Sequence, residues 1–108
     1  MVMQNVPLAH EWRLDLTERR AMHPLGGTVS FTEKECELLT MLIQIQPEAI
    51  SRETLLAKVW GMRHDVDTHT LETHIYRLRQ KLEGQKPPLG DILTENGAYR
   101  IILDDKPA

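Results

Sequence analysis

The chain predicts an α+β fold in the order strands, three helices, hairpin, and three observations carry that prediction. Within Asp67–Glu83 (DTHTLETHIYRLRQKLE), Leu71, Ile75, Leu78 and Leu82 recur at steps of four, three and four. That spacing is the stripe of one buried helix face. Ahead of it, two further apolar runs each begin at a helix-capping residue, Thr32 and Ser51. Before and after these runs lie short alternating segments broken by turn residues, the last of them holding Asn96-Gly97, a tight-hairpin dipeptide.

Taken in order, residues 1–7 carry no pattern and are expected to be a disordered leader. Between Leu8 and Leu16, the apolar Trp12, Leu14 and Leu16 alternate with Arg13 and Asp15, as in a half-buried strand. Thr17–Arg19 reads as a turn, Arg20–His23 as a second strand, Pro24–Gly27 as another turn and Thr28–Phe31 as a third strand. Together these form a small antiparallel meander. Thr32 and Glu35 have the spacing of a capping box, in which each side chain accepts from the other residue's backbone N–H. The helix behind it carries Cys36, Leu38, Leu39, Leu42, Ile43 and Ile45, too wide an apolar arc for a surface helix, and it stops before Pro47. Ser51 caps the second helix, Glu53 suits its first turn, Leu55, Leu56, Val59 and Trp60 form its buried side, and Gly61 ends it. Met62–Val66 leads into the third helix, about 68–83, and is longer than the turn of a minimal helix-turn-helix. A Gly/Pro-rich loop (84–90) precedes the hairpin Ile92–Thr94 and Ala98–Leu103, and 104–108 is a polar tail. A three-helix core followed by a hairpin is a winged helix-turn-helix plan, here one domain over 8–103.

Composition narrows the function. At 108 residues there is room for one modest core, and 41% hydrophobic with 27% charged residues is ordinary for a globular chain. No apolar run approaches a membrane span, and the start is no signal peptide. The single Cys36 cannot form an internal disulfide, fits a reducing cytoplasm and reads as a small buried apolar residue. A net charge of −3 argues against a nonspecific polyanion binder. The basic residues are nevertheless clustered: Arg77, Arg79 and Lys81 fall within Thr73–Lys81, where no acid occurs. Such a patch on an acidic body binds nucleic acid weakly and in a salt-sensitive way.

The face of the third helix opposite its stripe holds His69, Thr73, Tyr76, Arg77 and Gln80, flanked by Thr70, His74 and Lys81 on one side and by Glu72 and Arg79 on the other. These groups suit phosphates and base edges better than a purely solvating Glu/Lys face would. Arg77 has the two-pronged donor that fits guanine O6 and N7, against the competing reading of a solvated Arg. Arg79 is divided between a phosphate contact and a salt bridge to Glu83, four residues on. Lys81 is a phosphate candidate. Thr70 either caps the helix or leaves DNA contact to Thr73, and Tyr76 stacks on sugar or bridges to phosphate. Trp60 reads as a core residue with its N–H directed outward.

Other chemistries find little support. His69 and His74 are five apart, about 140° around a helix, unlike the four-residue spacing of ligands on one face, so they and His64 make a poor metal set. No phosphate-cradling Gly-rich loop, activated nucleophile or paired acids appears, so neither enzyme activity nor a cofactor is expected.

FTEKECELLTMLI, SRETLLAKVWG, DTHTLETHIYRLRQKLE and ILTENGAYRI, in that order, resemble the DNA-binding effector domain of the OmpR/PhoB response regulators. The likeness runs from about Leu8 to Leu103. It implies a four-stranded N-terminal sheet, a three-helix bundle and a C-terminal wing, with helix three in the major groove of double-stranded DNA. The resemblance further implies base contact at Arg77 and backbone contact at Trp60, His69, Thr70, His74 and Arg79. Helix two and the loop at 61–67 would face RNA polymerase, and two copies would bind tandem sites head to tail. Two departures stand out. His69 replaces the usual Arg and is mostly neutral at pH 7. The wing, Thr94-Glu95-Asn96-Gly97-Ala98-Tyr99, is one residue shorter than the family pattern and has an acid but no Arg. The chain is also too short to hold a phosphoacceptor receiver domain, which leaves an excised effector domain of a two-component phosphorelay and a stand-alone relative as the two cases. The acidic balance and altered wing favour one rival role, a winged helix turned protein-interaction module.

Overall fold

A computed structural model describes residues 5–61 and 66–103. Its elements are β1 (Asn5–Pro7), β2 (Arg13–Asp15), β3 (Arg20–Met22), β4 (Thr28–Ser30), α1 (Glu33–Gln44), β5 (Ile50–Ser51), α2 (Arg52–Trp60), α3 (Thr68–Glu83), β6 (Asp91–Glu95) and β7 (Ala98–Ile102). The first four strands form an antiparallel sheet in sequence order. Val6, Leu14, Ala21 and Val29 are register partners across it and make one inward row facing the helices. The second sheet has the order β5-β7-β6. This is the α+β winged helix the sequence predicts.

The N-terminus differs from its reading in two ways. Asn5–Pro7 is a strand, so the expected leader over 1–7 loses those three residues, while 1–4 lie outside the described residues, as does the tail at 104–108. The strand expected between Leu8 and Leu16 is shortened to Arg13–Asp15, and the residues before it turn the chain back onto β1. His10 and Glu11 adopt positive φ and reverse the chain, so that Pro7 comes opposite Arg13. That turn is tied to the loop after α3: Ala9 N donates to Leu89 O, and the Trp12 indole donates to Pro87 O at 2.8 Å. The Gly/Pro-rich loop thus has a fixed place against the first sheet.

Helix boundaries follow the local chemistry. Thr32 and Glu35 close the capping box of α1 with bonds of 3.1 and 2.8 Å. Ser51 accepts from Thr54 N at the start of α2, and Gly61, at φ 77°, ends it in a backbone conformation that favours glycine. Asp67 caps α3 by accepting from Thr70 N at 3.1 Å. Leu71, Ile75, Leu78 and Leu82 are at most 3% exposed. Burying them contributes roughly 1.5–3 kcal/mol each before the cost of ordering the chain. They meet Leu38, Leu39 and Leu42 of α1 and Leu55 of α2 in one core.

The hairpin is closed by Asn96 and Gly97, both at positive φ, as a two-residue loop of the mirror-image type requires. β5 is unpredicted. Ile50 pairs with Tyr99 and Ser51 with Ala98, so the start of α2 is bonded to the hairpin beside its turn.

Candidate nucleic-acid interface

α3 has three sides. Its core side is the leucine stripe. One flank packs on β4 and α1, and the other flank packs on the hairpin. Between the flanks, the front carries His69, Thr73, Tyr76, Arg77 and Gln80, all exposed except the half-buried Thr73. Tyr76 is 60% exposed and accepts from the Gln80 amide at 3.2 Å, which leaves its own O–H to donate outward. Arg77 is exposed and bonds to nothing within the described residues, so all five of its donors are available.

The threonines are partly committed. The Thr73 hydroxyl donates back to His69 O at 3.0 Å, so outward it offers only acceptor lone pairs. The Thr70 hydroxyl leans on the Asp67 carboxylate at 3.4 Å, making it a partner of the cap rather than the capping group. His74 Nδ1 lies 2.8 Å from Thr70 O. A carbonyl can only accept, so Nδ1 is the donor in this contact and Nε2 is left facing outward. His74 also meets the Trp60 ring edge-on at 5.0 Å. Trp60 is half-buried against the core, and the Lys34 ammonium, bonded to Val59 O near the C-terminal end of α2, stands 5.8 Å from its ring centre.

Lys81 is the largest departure from the sequence reading. Its ammonium donates to Glu35 Oε1 at 2.6 Å and to Ser30 O at 2.9 Å, and it lies 5.6 Å from the Phe31 ring centre. Two of its three donors are therefore spent inside the molecule, on contacts that tie α3 to β4 and α1. The Glu35 side chain is only 4% exposed. Burial pushes its carboxyl up, but hydrogen bonds and charge from Lys81 and Thr32 outweigh that and hold it below the ordinary value.

Arg79 turns toward the hairpin rather than pairing with Glu83. Its Nη2 donates to Thr94 Oγ1 at 3.3 Å, and its buried Nε has no partner in the described structure. Glu83 faces Asp91 instead, and their hydrogen bond, reinforced by burial and by the Asp91 charge, raises the Glu83 carboxyl. On the hairpin, Arg100 donates to Glu95 at 2.9 Å. Arg100 and Thr94 escaped the sequence reading of site residues. Strand alternation put Arg100 on an outward position, but which acid it meets depends on the turn geometry.

His64 and most of the 61–67 segment lie outside the described residues. Among the described residues no group of three metal-binding side chains forms, and no helix is long and apolar enough to cross a membrane. Cys36 is 7% exposed, and burial pushes its thiol up, as for an inert core residue.

The chain resembles known proteins over most of its length. Residues 26–98 match the family described as "Transcriptional regulatory protein, C terminal". The DNA-binding response regulator MtrA of Mycobacterium tuberculosis is 36% identical over 72 residues, covering 67% of this chain and 32% of MtrA. The transcriptional activator protein IrlR of Burkholderia pseudomallei is 37% identical over 75 residues, covering 69% of this chain and 32% of IrlR. The chain thus spans about a third of the length of these relatives. Among solved structures, the DNA-binding domain of Bacillus subtilis CssR superposes with a TM-score of 0.71 at 27% identity, covering 84% of this chain and 99% of that one. The Klebsiella pneumoniae RstA DNA-binding domain, solved in complex with its RstA box, shares the fold with a TM-score of 0.72 at 22% identity, covering 93% of this chain and 98% of that one. The match over 26–98, in a three-helix core flanked by a meander and a hairpin, places the chain in the OmpR/PhoB-type transcriptional regulatory protein C-terminal domain family.

Proposed function

We propose that this chain binds double-stranded DNA sequence-specifically in transcription regulation, with α3 lying in the major groove. The carrying observation is the contrast on α3 itself: its sides are packed, while Arg77 stands exposed on its open front without a partner among the described residues. In this reading Arg77 forks onto a guanine edge, and Thr73 and Gln80 line the base side of the groove. Tyr76, His69, Thr70 and His74 meet sugar or phosphate, and Trp60 supports His74 from below. Arg79 and Thr94 form a shared phosphate contact where the hairpin meets the helix. Lys81 drops out of the contact set.

The family is regulatory rather than enzymatic. For the whole protein we propose the effector part of a two-component response regulator or a stand-alone relative. A polymerase-facing 61–67 segment and pairing of two copies on tandem sites belong to the same reading. Selection of bound duplexes from a random pool tests it. The expected result is a retained motif containing a guanine that becomes unselected with Arg77→Ala, and a log–log salt slope of several units. A pool that retains no sequence would favour the protein-interaction role instead.

A further inference from the structure

The β6–β7 ribbon has two unlike faces. Ile92, Thr94, Tyr99 and Ile101 share the face toward α3 and the core, where Thr94 receives the Arg79 bond. Leu93, Glu95 and Arg100 share the opposite face, by alternation and register. There Arg100 Nη2 donates to Glu95 Oε1 at 2.9 Å, with side chains 30% and 49% exposed. Arg100 is the only basic residue between Asp91 and Leu103.

Groove dimensions give this arrangement a meaning. A helix about 10–12 Å across fills a major groove about 12 Å wide, so a ribbon packed on its flank overlies the neighbouring phosphate ridge and the minor groove beyond. The minor groove is about 6 Å wide with a ridge on each side. A ribbon that enters it turn-first presents one face to each ridge. The inner ridge meets Arg79 and Thr94. The outer ridge meets the face that holds Arg100.

We propose that Arg100 is a further phosphate-binding residue of this domain, on the outer face of the hairpin, and that Glu95 is its built-in competitor. A carboxylate and a phosphate engage the same guanidinium N–H donors, so Glu95 occupies the position a phosphate oxygen would take. An exposed ion pair is weak and exchanges readily, so DNA displaces the carboxylate and Arg100 transfers to the backbone. Breaking the pair takes back part of what the phosphate contact gains, and the freed carboxylate takes up a counterion, so Glu95 holds affinity down only through Arg100. The acid in this wing thus becomes a restraint on phosphate binding rather than a simple loss of contact. The inference rests on the DNA-binding reading above.

The test is anisotropy of a labelled mixed-sequence duplex over about 50–200 mM salt, where phosphate contacts set the slope. Glu95→Gln is expected to tighten binding several-fold and to steepen the log–log slope by about one. In an Arg100→Gln background the same change is expected to leave affinity and slope nearly unaltered. An unchanged slope in Glu95→Gln, or an equal gain with and without Arg100, would overturn the proposal while leaving DNA binding intact. Failure of the unmodified chain to bind any duplex would overturn the DNA-binding reading and this proposal with it. Thermal melting of each variant, expected to match the parent, separates these outcomes from misfolding.

Discussion

Arg77 and Lys81 stand one helical turn apart on α3, and their surroundings assign them opposite work. Lys81 leans over β4 and the first turn of α1, where Ser30 O, the Glu35 carboxylate and the Phe31 ring take it up. Arg77 sits slightly further around the helix, on the edge of the same cleft, and bonds to none of the described residues. About 40° of rotation separates a cation that holds the fold together from one free to meet a ligand. Charge alone does not make a contact residue; an unspent donor does.

The contrast is sharpest at Lys81. Lys81→Ala should cost roughly 2–3 kcal/mol of stability, below the usual cost of orphaning a buried charge because the ammonium is partly exposed. Chemical denaturation would measure it, and a loss within error would break the comparison. The pH dependence carries a sign. Glu35 has a lowered carboxyl, so its contribution is present above the ordinary value of 4.5 and is lost as pH falls through its lower folded value. The gap between parent and Lys81→Ala should therefore close in acid, where Glu35 protonates.

Arg77→Ala should do the reverse. Binding to a selected duplex should weaken by about 1–3 kcal/mol, with relaxed preference at one base pair. Its melting temperature should match the parent's, and a matching drop in stability would show that Arg77 has structural work after all. Between these extremes stands Asp67, whose carboxylate caps α3 at the end carrying His69 and Thr70. Asp67→Ala should cost about 1 kcal/mol of stability. It should also weaken DNA binding modestly by fraying the first turn.

The smallest effect belongs to the hairpin flank. Glu83 has a raised carboxyl because it faces Asp91, so its favourable contribution is complete below the ordinary value and is lost as pH rises through the folded one. Glu83→Gln keeps a donor toward Asp91 without the repulsion. It should stabilise the fold at neutral pH by less than about 1 kcal/mol, given the exposure of the pair. The gain should vanish in thermal melts run below the ordinary carboxyl value.

Much of this molecule was legible from neighbouring residues alone. Thr32 with Glu35, Ser51, Asp67 through Glu83, Gly61 and Asn96-Gly97 are local signals, and caps, helical stripe and turn fall where they indicate. The open front of α3 follows from the same periodicity. The misses share a cause. β1 has three residues and β5 two, too few for any period, and each exists because a partner strand waits for it. Lys81 and Glu35 are 46 positions apart, and Arg79 and Thr94 are 15 apart. Nothing in either neighbourhood announces the other.

The sequence by itself determined the three helices and the closing hairpin, their order, the buried stripe of α3 and the polar character of its front, because backbone propensity, capping and amphipathic period act over a few residues. Tertiary structure decided which cations remain available: it bound Lys81 to Glu35, Arg79 to Thr94 and Arg100 to Glu95, and it gave Arg77 no partner among the described residues. A side chain's donors are spent on whatever packing brings within about 3 Å, and that is a property of the folded chain, not of any stretch of it.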